Sequence, residues 1–125
     1  MRVKSILVVE DDAPLRGIIG RNLTALGYLV SQAGTFREAT EAMALKPALM
    51  ILDITLPDAT GWDVARWLES LTDPVPIVLI SGGTPDAGNL RRFAPVAFLP
   101  KPFAIDALLD VVQAHLAVPL GPFGG

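Results

Sequence analysis

Five short apolar runs punctuate the chain at fairly regular intervals and predict five strands. Four of the runs are unbroken, which is typical of parallel strands that are buried on both faces of a sheet. The second run is less apolar than the others, which indicates a strand nearer the edge. The runs cover residues 6–9, 28–33, 49–52, 77–80 and 96–99.

The segments between these runs carry apolar residues at helical spacing. Pro14 and Gly27 are the usual start and stop signals of a first helix. Thr35 and Glu38 have the spacing of a capping box that opens a second helix. The fourth segment, 84–94, predicts about two turns at most, because it is rich in proline and glycine. The apolar positions at helical spacing are Leu15, Ile18, Ile19, Leu23 and Leu26 in the first helix, Ala39, Ala42, Met43 and Leu45 in the second, Val64, Trp67, Leu68 and Leu71 in the third, and Ile105, Leu108, Leu109, Val112 and Leu116 in the last.

Strands that alternate with helices predict an α/β fold: a doubly wound, five-stranded parallel sheet with right-handed crossovers. Residues 1–117 are expected to form one domain, since 51% hydrophobic content is enough for a core. Residues 118–125 contain two prolines and three glycines and are expected to form a flexible tail.

Composition narrows the class of function. The net charge of −3 argues against direct nucleic-acid binding, which normally uses a basic patch. The chain has no cysteine, so disulfides and thiolate metal sites are excluded. Its first apolar run is too short for a signal peptide or a membrane span, so a cytoplasmic protein without membrane contact is expected.

Polar residues follow the apolar runs at the points where strands end. Glu10 and Asp11 end the first strand, Asp53 the third, Ser81 the fourth, and Lys101 follows the fifth. The carboxyl ends of parallel strands meet at one edge, where ligands bind in such sheets. Clustered acids need a cation, and Mg²⁺ suits a site of few carboxylates, water and phosphate. A lysine adds a point charge for a phosphoryl oxygen. The set predicts phosphoryl transfer, with Asp53 as the nucleophile that forms an acyl phosphate.

The ordered set of motifs resembles the receiver domain of bacterial two-component response regulators. That resemblance covers essentially the whole chain and implies the flavodoxin-like (βα)5 receiver fold. It also implies a signalling switch rather than a turnover enzyme, one that catalyses only its own phosphorylation and dephosphorylation. The matching segments are Val8-Val9-Glu10-Asp11, Leu52-Asp53-Ile54-Thr55-Leu56-Pro57 with Gly61, Ile80-Ser81-Gly82, and Phe98-Leu99-Pro100-Lys101-Pro102-Phe103.

The resemblance implies a role for each acid of the set. Asp53 would accept the phosphoryl group from a histidine kinase or a phosphotransfer protein. Asp11, Asp53 and the backbone carbonyl of Thr55 would coordinate Mg²⁺ (or Mn²⁺), with Glu10 acting through a water. Arg16 lies five residues after Asp11, the spacing this family uses, which favours Glu10 and Asp11 over the next acid as the metal pair.

The remaining positions concern the phosphoryl group and the output. Lys101 would bind a phosphoryl oxygen, and its bond to Pro102 is usually cis in this family. Ser81 would hydrogen-bond the phosphoryl group, and Phe98 would be the aromatic switch that turns inward with it. The fourth helix, fifth strand and fifth helix would form the partner-binding face, with a homodimer as one output. The stretch between Ser81 and Lys101 is shorter than this family commonly uses, and the missing length falls in the fourth helix, which belongs to that face.

Other interpretations of the same residues stay open at this point. Taken alone, the acidic triplet after the first strand is typical of a solvated loop, and Lys101 between prolines of a surface loop. A small Asp-nucleophile phosphohydrolase of the haloacid-dehalogenase type is disfavoured, because Thr55 stands where that class has a second acid. A flavin- or nucleotide-binding module has the same sheet, but the chain has no recognisable phosphate loop.

Overall fold

The computed structural model describes residues 4–71 and 75–116, and all five predicted strands are present. Each strand begins and ends within one residue of its predicted bounds. The connection at 72–74 and the tail predicted at 118–125 lie outside the described residues. The strands are β1 (Ser5–Val9), β2 (Leu29–Ala33), β3 (Leu49–Asp53), β4 (Ile77–Ser81) and β5 (Ala97–Pro100).

The sheet is parallel throughout, with the strand order β2-β1-β3-β4-β5. This confirms the doubly wound, flavodoxin-like architecture. Every residue of β3 is buried, which explains why its first four residues, Leu49 to Leu52, are an unbroken apolar run. The register pairs Asp53 with Ile80 and Ser81 with Pro100, so the polar residues at the strand ends lie at one edge of the sheet.

The helices cover the sheet on both faces. The side chains of α1 and α5 pack with Ile6, Val8 and Ile51 on one face, and those of α2, α3 and α4 pack on the other. The fourth helix is short, as its sequence predicts. The helices are α1 (Ala13–Ala25), α2 (Phe36–Ala42) with a 3-10 turn at Met43–Leu45, α3 (Gly61–Glu69), α4 (Ala87–Phe93) and α5 (Ile105–His115).

The capping box that the sequence predicts at the start of α2 is only partly formed. The Thr35 hydroxyl accepts a hydrogen bond from the Glu38 N–H at 3.0 Å, as a capping box requires. The Glu38 carboxylate, however, accepts from the Gly34 N–H at 2.7 Å. The reciprocal bond therefore reaches one residue further back, because the chain turns sharply between β2 and α2.

Two apolar positions at helical spacing are exposed, contrary to the simplest interpretation of the pattern. Ile18 on α1 is 42% exposed and Leu45 is 66% exposed. Ile19 and Leu23 already supply the buried stripe of α1. Leu45 falls after α2 has tightened into a 3-10 turn, whose different residue spacing carries it off the apolar face. No helix among the described residues is long and apolar enough to cross a membrane.

Candidate functional site

Three carboxylates meet beyond the ends of β1 and β3. Glu10 and Asp53 are almost wholly buried, at 0% and 2% exposure, whereas Asp11 is exposed. One carboxylate oxygen of each residue lies within 4.8 Å of the others. The structure therefore brings together the acids that the sequence placed at one edge of the sheet.

The ammonium group of Lys101 contacts two of these acids. Its Nζ lies 2.5 Å from Glu10 Oε1 and 3.1 Å from Asp53 Oδ2. The Lys101 N–H donates to the Ser81 carbonyl at 2.7 Å, which continues the β4–β5 ladder and sets the approach of the side chain. The peptide bond from Lys101 to Pro102 is cis, in agreement with the resemblance. The ammonium thus neutralises part of the acidic charge.

Glu10 is the most perturbed acid of the described residues. Burial, and next the neighbouring Asp53 carboxylate, raise its pKa from 4.5 to about 7, while Lys101 works in the opposite direction. Burial acts to lower the pKa of Lys101, but the contacts with Glu10 and Asp53 outweigh it and raise that pKa above 10.5. The site therefore holds more buried negative charge than one lysine balances.

The donor set fits a hard divalent cation such as Mg²⁺. Glu10 Oε2 accepts a hydrogen bond from the Asp12 N–H at 3.2 Å. The buried Glu10 Oε1, by contrast, has an ionic contact with Lys101 Nζ at 2.5 Å and no hydrogen-bond partner among the described residues. A carboxylate oxygen in this condition, beside two further carboxylates, is suited to a metal or a metal-bound water.

Thr55 and Ser81 border the acids. The Thr55 N–H donates to Asp53 Oδ1 at 3.1 Å, which holds the start of the β3–α3 loop against the carboxylate. Ser81 is 5% exposed, and its Oγ accepts from the Gly83 N–H at 3.0 Å. Among the described residues, the Ser81 hydroxyl makes no hydrogen bond to the acids or to Lys101. It lies at the site's edge without joining the ionic cluster.

Phe98 lies on β5 beside Leu79 of β4 and is half-buried. Its ring packs against the core on the α2–α3–α4 face, together with Phe93 of α4. Phe93 in turn stacks on Trp62 of α3, with ring centroids 5.8 Å apart. The structure thus places Phe98 partly in the core, and its role as a switch stays a prediction.

Two supporting residues were not assigned their contacts from sequence. The Arg16 guanidinium donates from Nη1 to the Glu10 carbonyl at 2.7 Å. The Asp58 carboxylate accepts from the Phe36 and Arg37 N–H groups at 2.8 and 3.3 Å. The sequence spacing of Arg16 indicated only which two acids form the metal pair. No local signal identified Asp58, because its partners lie 21 and 22 residues away.

With this fold and site, the chain belongs to the response regulator receiver domain family, whose family model matches residues 6–113. It is a receiver domain of the two-component type, a signalling module, and this sets aside the phosphohydrolase and the flavin-binding module. Among curated relatives, it is 35% identical over 114 residues to the response regulator MprA of Mycolicibacterium vanbaalenii, covering 89% of this chain and 49% of that protein. The MprA of Mycobacterium leprae is 34% identical, with 89% and 50% covered. The chain therefore spans about half the length of the curated relatives it matches.

Solved structures agree with the family. The signal receiver domain of a putative Luxo repressor protein from Vibrio parahaemolyticus superposes with a TM-score of 0.83 at 31% identity, covering 91% of this chain and 90% of that one. The response regulator protein TrrA from Thermotoga maritima, solved in complex with Mg²⁺ and BeF, superposes with a TM-score of 0.79 at 28% identity, covering 91% and 100%.

Proposed function

We propose that this receiver domain is a phosphorylation-controlled switch whose phosphoryl acceptor is Asp53. The observation that carries the proposal is the setting of that carboxylate. It is 2% exposed, its Oδ1 accepts from the Thr55 N–H at 3.1 Å, and its Oδ2 lies 3.1 Å from Lys101 Nζ. A carboxylate held at both oxygens, at the open end of a buried strand, is oriented for attack on a phosphorus atom.

The donor is a phosphohistidine, on a histidine kinase or a phosphotransfer protein. An Asp53 oxygen forms a bond to phosphorus while the bond from phosphorus to the imidazole nitrogen breaks. The imidazole leaves with the electron pair and takes up a proton. Water later attacks the same phosphorus, the bond to Asp53 breaks, and inorganic phosphate departs. The domain thus catalyses only its own phosphorylation and dephosphorylation.

The metal that supports this step is Mg²⁺ or Mn²⁺. Asp11, Asp53 and the Thr55 carbonyl would hold it, with Glu10 acting through a water. When bound, the ion neutralises charge that gathers on the phosphoryl oxygens. Support comes from the three-acid cluster and the Mg²⁺–BeF complex of the related TrrA.

Lys101 and Ser81 would recognise the phosphoryl group after transfer. The Lys101 ammonium, already within ionic reach of Asp53, would pair with one phosphoryl oxygen. The Ser81 hydroxyl would exchange its bond from the Gly83 N–H for one to another phosphoryl oxygen. Ser81 and Phe98 lie on the adjacent strands β4 and β5, and the ring would turn inward when the hydroxyl moves toward the phosphoryl group.

The output surface is the α4–β5–α5 face, through which the domain would bind a downstream protein or a second copy of itself. Direct contact with nucleic acid or with a membrane is not part of the proposal. A cytoplasmic site of action fits both the phosphodonor and the cysteine-free sequence.

The test is uptake of phosphate from acetyl phosphate, followed by intact mass. The wild-type chain should gain one phosphoryl group when Mg²⁺ is present and none when the metal is chelated. Asp53→Asn should abolish the gain, whereas the control Asp86→Asn, which removes a carboxylate at the start of α4, should preserve it. A gain that survives Asp53→Asn would overturn the assignment.

A further inference from the structure

The turn from β2 into α2 contacts both loops that carry the acidic cluster. We propose that this turn, residues 33–37, is a brace that fixes the spacing of those loops, and that Arg16 and Asp58 are positioning residues acting through it. Glu10 and Asp11 lie on the loop after β1, and Asp53 is the last residue of β3, at the start of the loop into α3. The inference rests on the proposed function, because it concerns the affinity of the same site for Mg²⁺.

The first contact holds the backbone of Glu10. Its N–H donates to the Ala33 carbonyl at 2.9 Å, and its own carbonyl accepts from Arg16 Nη1 at 2.7 Å. Both backbone polar groups of this buried acid are therefore fixed, one by the turn and one by α1. The direction in which the Glu10 side chain leaves the strand follows from that restraint.

Gly34 lets Arg16 reach this carbonyl. A Cβ atom at position 34 would lie 2.8 Å from Arg16 Nη1, closer than real contacts allow. The guanidinium therefore packs directly against the glycine backbone. The Gly34 N–H also donates to Glu38 Oε1 at 2.7 Å, which holds the turn to the first residues of α2.

The second contact holds the other loop. The first N–H groups of a helix have no partners within it. In α2, the Thr35 hydroxyl takes the third of these, and the Asp58 carboxylate takes the first two, those of Phe36 and Arg37. These bonds, that from Phe36 foremost, keep the pKa of Asp58 below its usual range, so the carboxylate is the charged form at neutral pH.

The loop that bears Asp58 is closed on itself, so its tip and base move together. Thr55 and Thr60 form an antiparallel bridge, and the Leu56 N–H donates to the Ala59 carbonyl at 3.2 Å. Asp58 is at the tip of this closure, and Thr55 at the base donates to Asp53. A shift of Asp58 away from α2 is therefore passed to the residues beside the phosphoryl acceptor.

The brace makes a prediction that separates positioning from folding. Loss of either contact should weaken Mg²⁺ binding by roughly tenfold, the effect expected when partners behind metal ligands are removed. Saturating Mg²⁺ should restore the rate of phosphate uptake, because the reacting groups are all still present. A merely structural defect would lower the maximal rate at every Mg²⁺ concentration.

The experiment compares Arg16→Gln, Gly34→Ala and Asp58→Ala with the wild-type chain. Mg²⁺ dissociation constants come from calorimetric titration, and uptake from acetyl phosphate is measured at limiting and saturating Mg²⁺. The matched controls are Arg21→Gln, which changes an exposed arginine of α1, and Asp86→Ala, which removes the carboxylate that caps α4. The three variants should bind Mg²⁺ roughly tenfold more weakly and recover at saturation. The controls should match the wild type.

Each result bears on one claim. If the wild-type chain binds no Mg²⁺ or takes up no phosphate, the proposed function fails. If the wild type does both, and the three variants bind Mg²⁺ within about twofold of it, the brace is wrong. Variants that stay slow at saturating Mg²⁺ would also overturn the positioning role. If Arg16→Gln does not fold, Gly34→Ala and Asp58→Ala decide the question, since both keep the Arg16 side chain.

Discussion

The raised pKa of Glu10 makes the stability of the metal-free domain depend on pH, and Glu10→Gln should remove that dependence. Glutamine has the shape of a protonated glutamic acid but carries no charge at any pH. The side chain is fully buried, so solvent does not screen the effect. The variant thus isolates the contribution of one ionisation to folding.

The sign and size follow from the shift. The pKa of Glu10 is 4.5 in the unfolded chain and about 7 in the folded domain. Between these values the folded state holds more protons, so stability falls as pH rises. The contribution of Glu10 to stability is fully present below its pKa in the unfolded chain and is lost above its pKa in the folded domain. A shift of this size is worth about 3 kcal/mol in the free energy of unfolding.

The assay is chemical denaturation in the presence of a chelator, followed by the fluorescence of the buried Trp62. At each pH, the free energy of unfolding of Glu10→Gln is subtracted from that of the wild type. This difference should fall by about 3 kcal/mol from acid to weakly alkaline pH. Glu41→Gln, which removes an exposed partner of Arg37, should run parallel to the wild type.

Two results would refute this reasoning. Parallel pH profiles for the wild type and Glu10→Gln would mean that burial does not raise the pKa of this acid. A profile that rises with pH relative to the variant would mean that Lys101 outweighs burial. Excess Mg²⁺ provides a further check, because it should stabilise the wild type at neutral pH more than the variant.

Three further outcomes concern packing and surface charge. Gly61→Ala should destabilise the domain by about 2 kcal/mol or more, because the added Cβ would lie 2.5 Å from the Asp53 carbonyl oxygen. Gly83→Ala should change stability little, because a Cβ there would have no atom within 4 Å. Thermal melts of the two variants test this difference. Leu108→Ala, at a fully buried position of α5, should cost about 2–5 kcal/mol in denaturant unfolding, and a cost under about 1 kcal/mol would contradict the packing described. Arg92→Ala removes an exposed ion pair to α3 and a contact over an aromatic ring, and should cost no more than about 1 kcal/mol in the same assay.

The fold was predictable because each strand coincides with a separate apolar run, four of which are unbroken. Buried parallel strands need no alternation, so Leu49 to Leu52 stands out against its polar surroundings. The location of the site was predictable as well, because parallel strands end at a common edge of the sheet and so bring Asp53 and Lys101 together. The family pattern added the order of the motifs. These features depend on local sequence and topology alone.

Other features depend on contacts that local sequence does not encode. Asp58 caps α2 from another loop, and nothing within its own segment indicates that partner. Glu38 bonds to Gly34 rather than Thr35, because the backbone path through the turn decides which N–H faces it. Leu45 matches the helical period but is exposed, since α2 ends before it. Each case is decided by tertiary geometry.

The central claim is that Asp53 receives the phosphoryl group, and locating that group tests it most directly. The domain is incubated with acetyl phosphate and Mg²⁺, the acyl phosphate is reduced with borohydride, and the modified residue is found by peptide mass spectrometry. We expect the label on Asp53 alone, and no label when Mg²⁺ is chelated. A label on Glu10 or Asp11, or an unmodified chain under conditions where it binds Mg²⁺, would contradict the account.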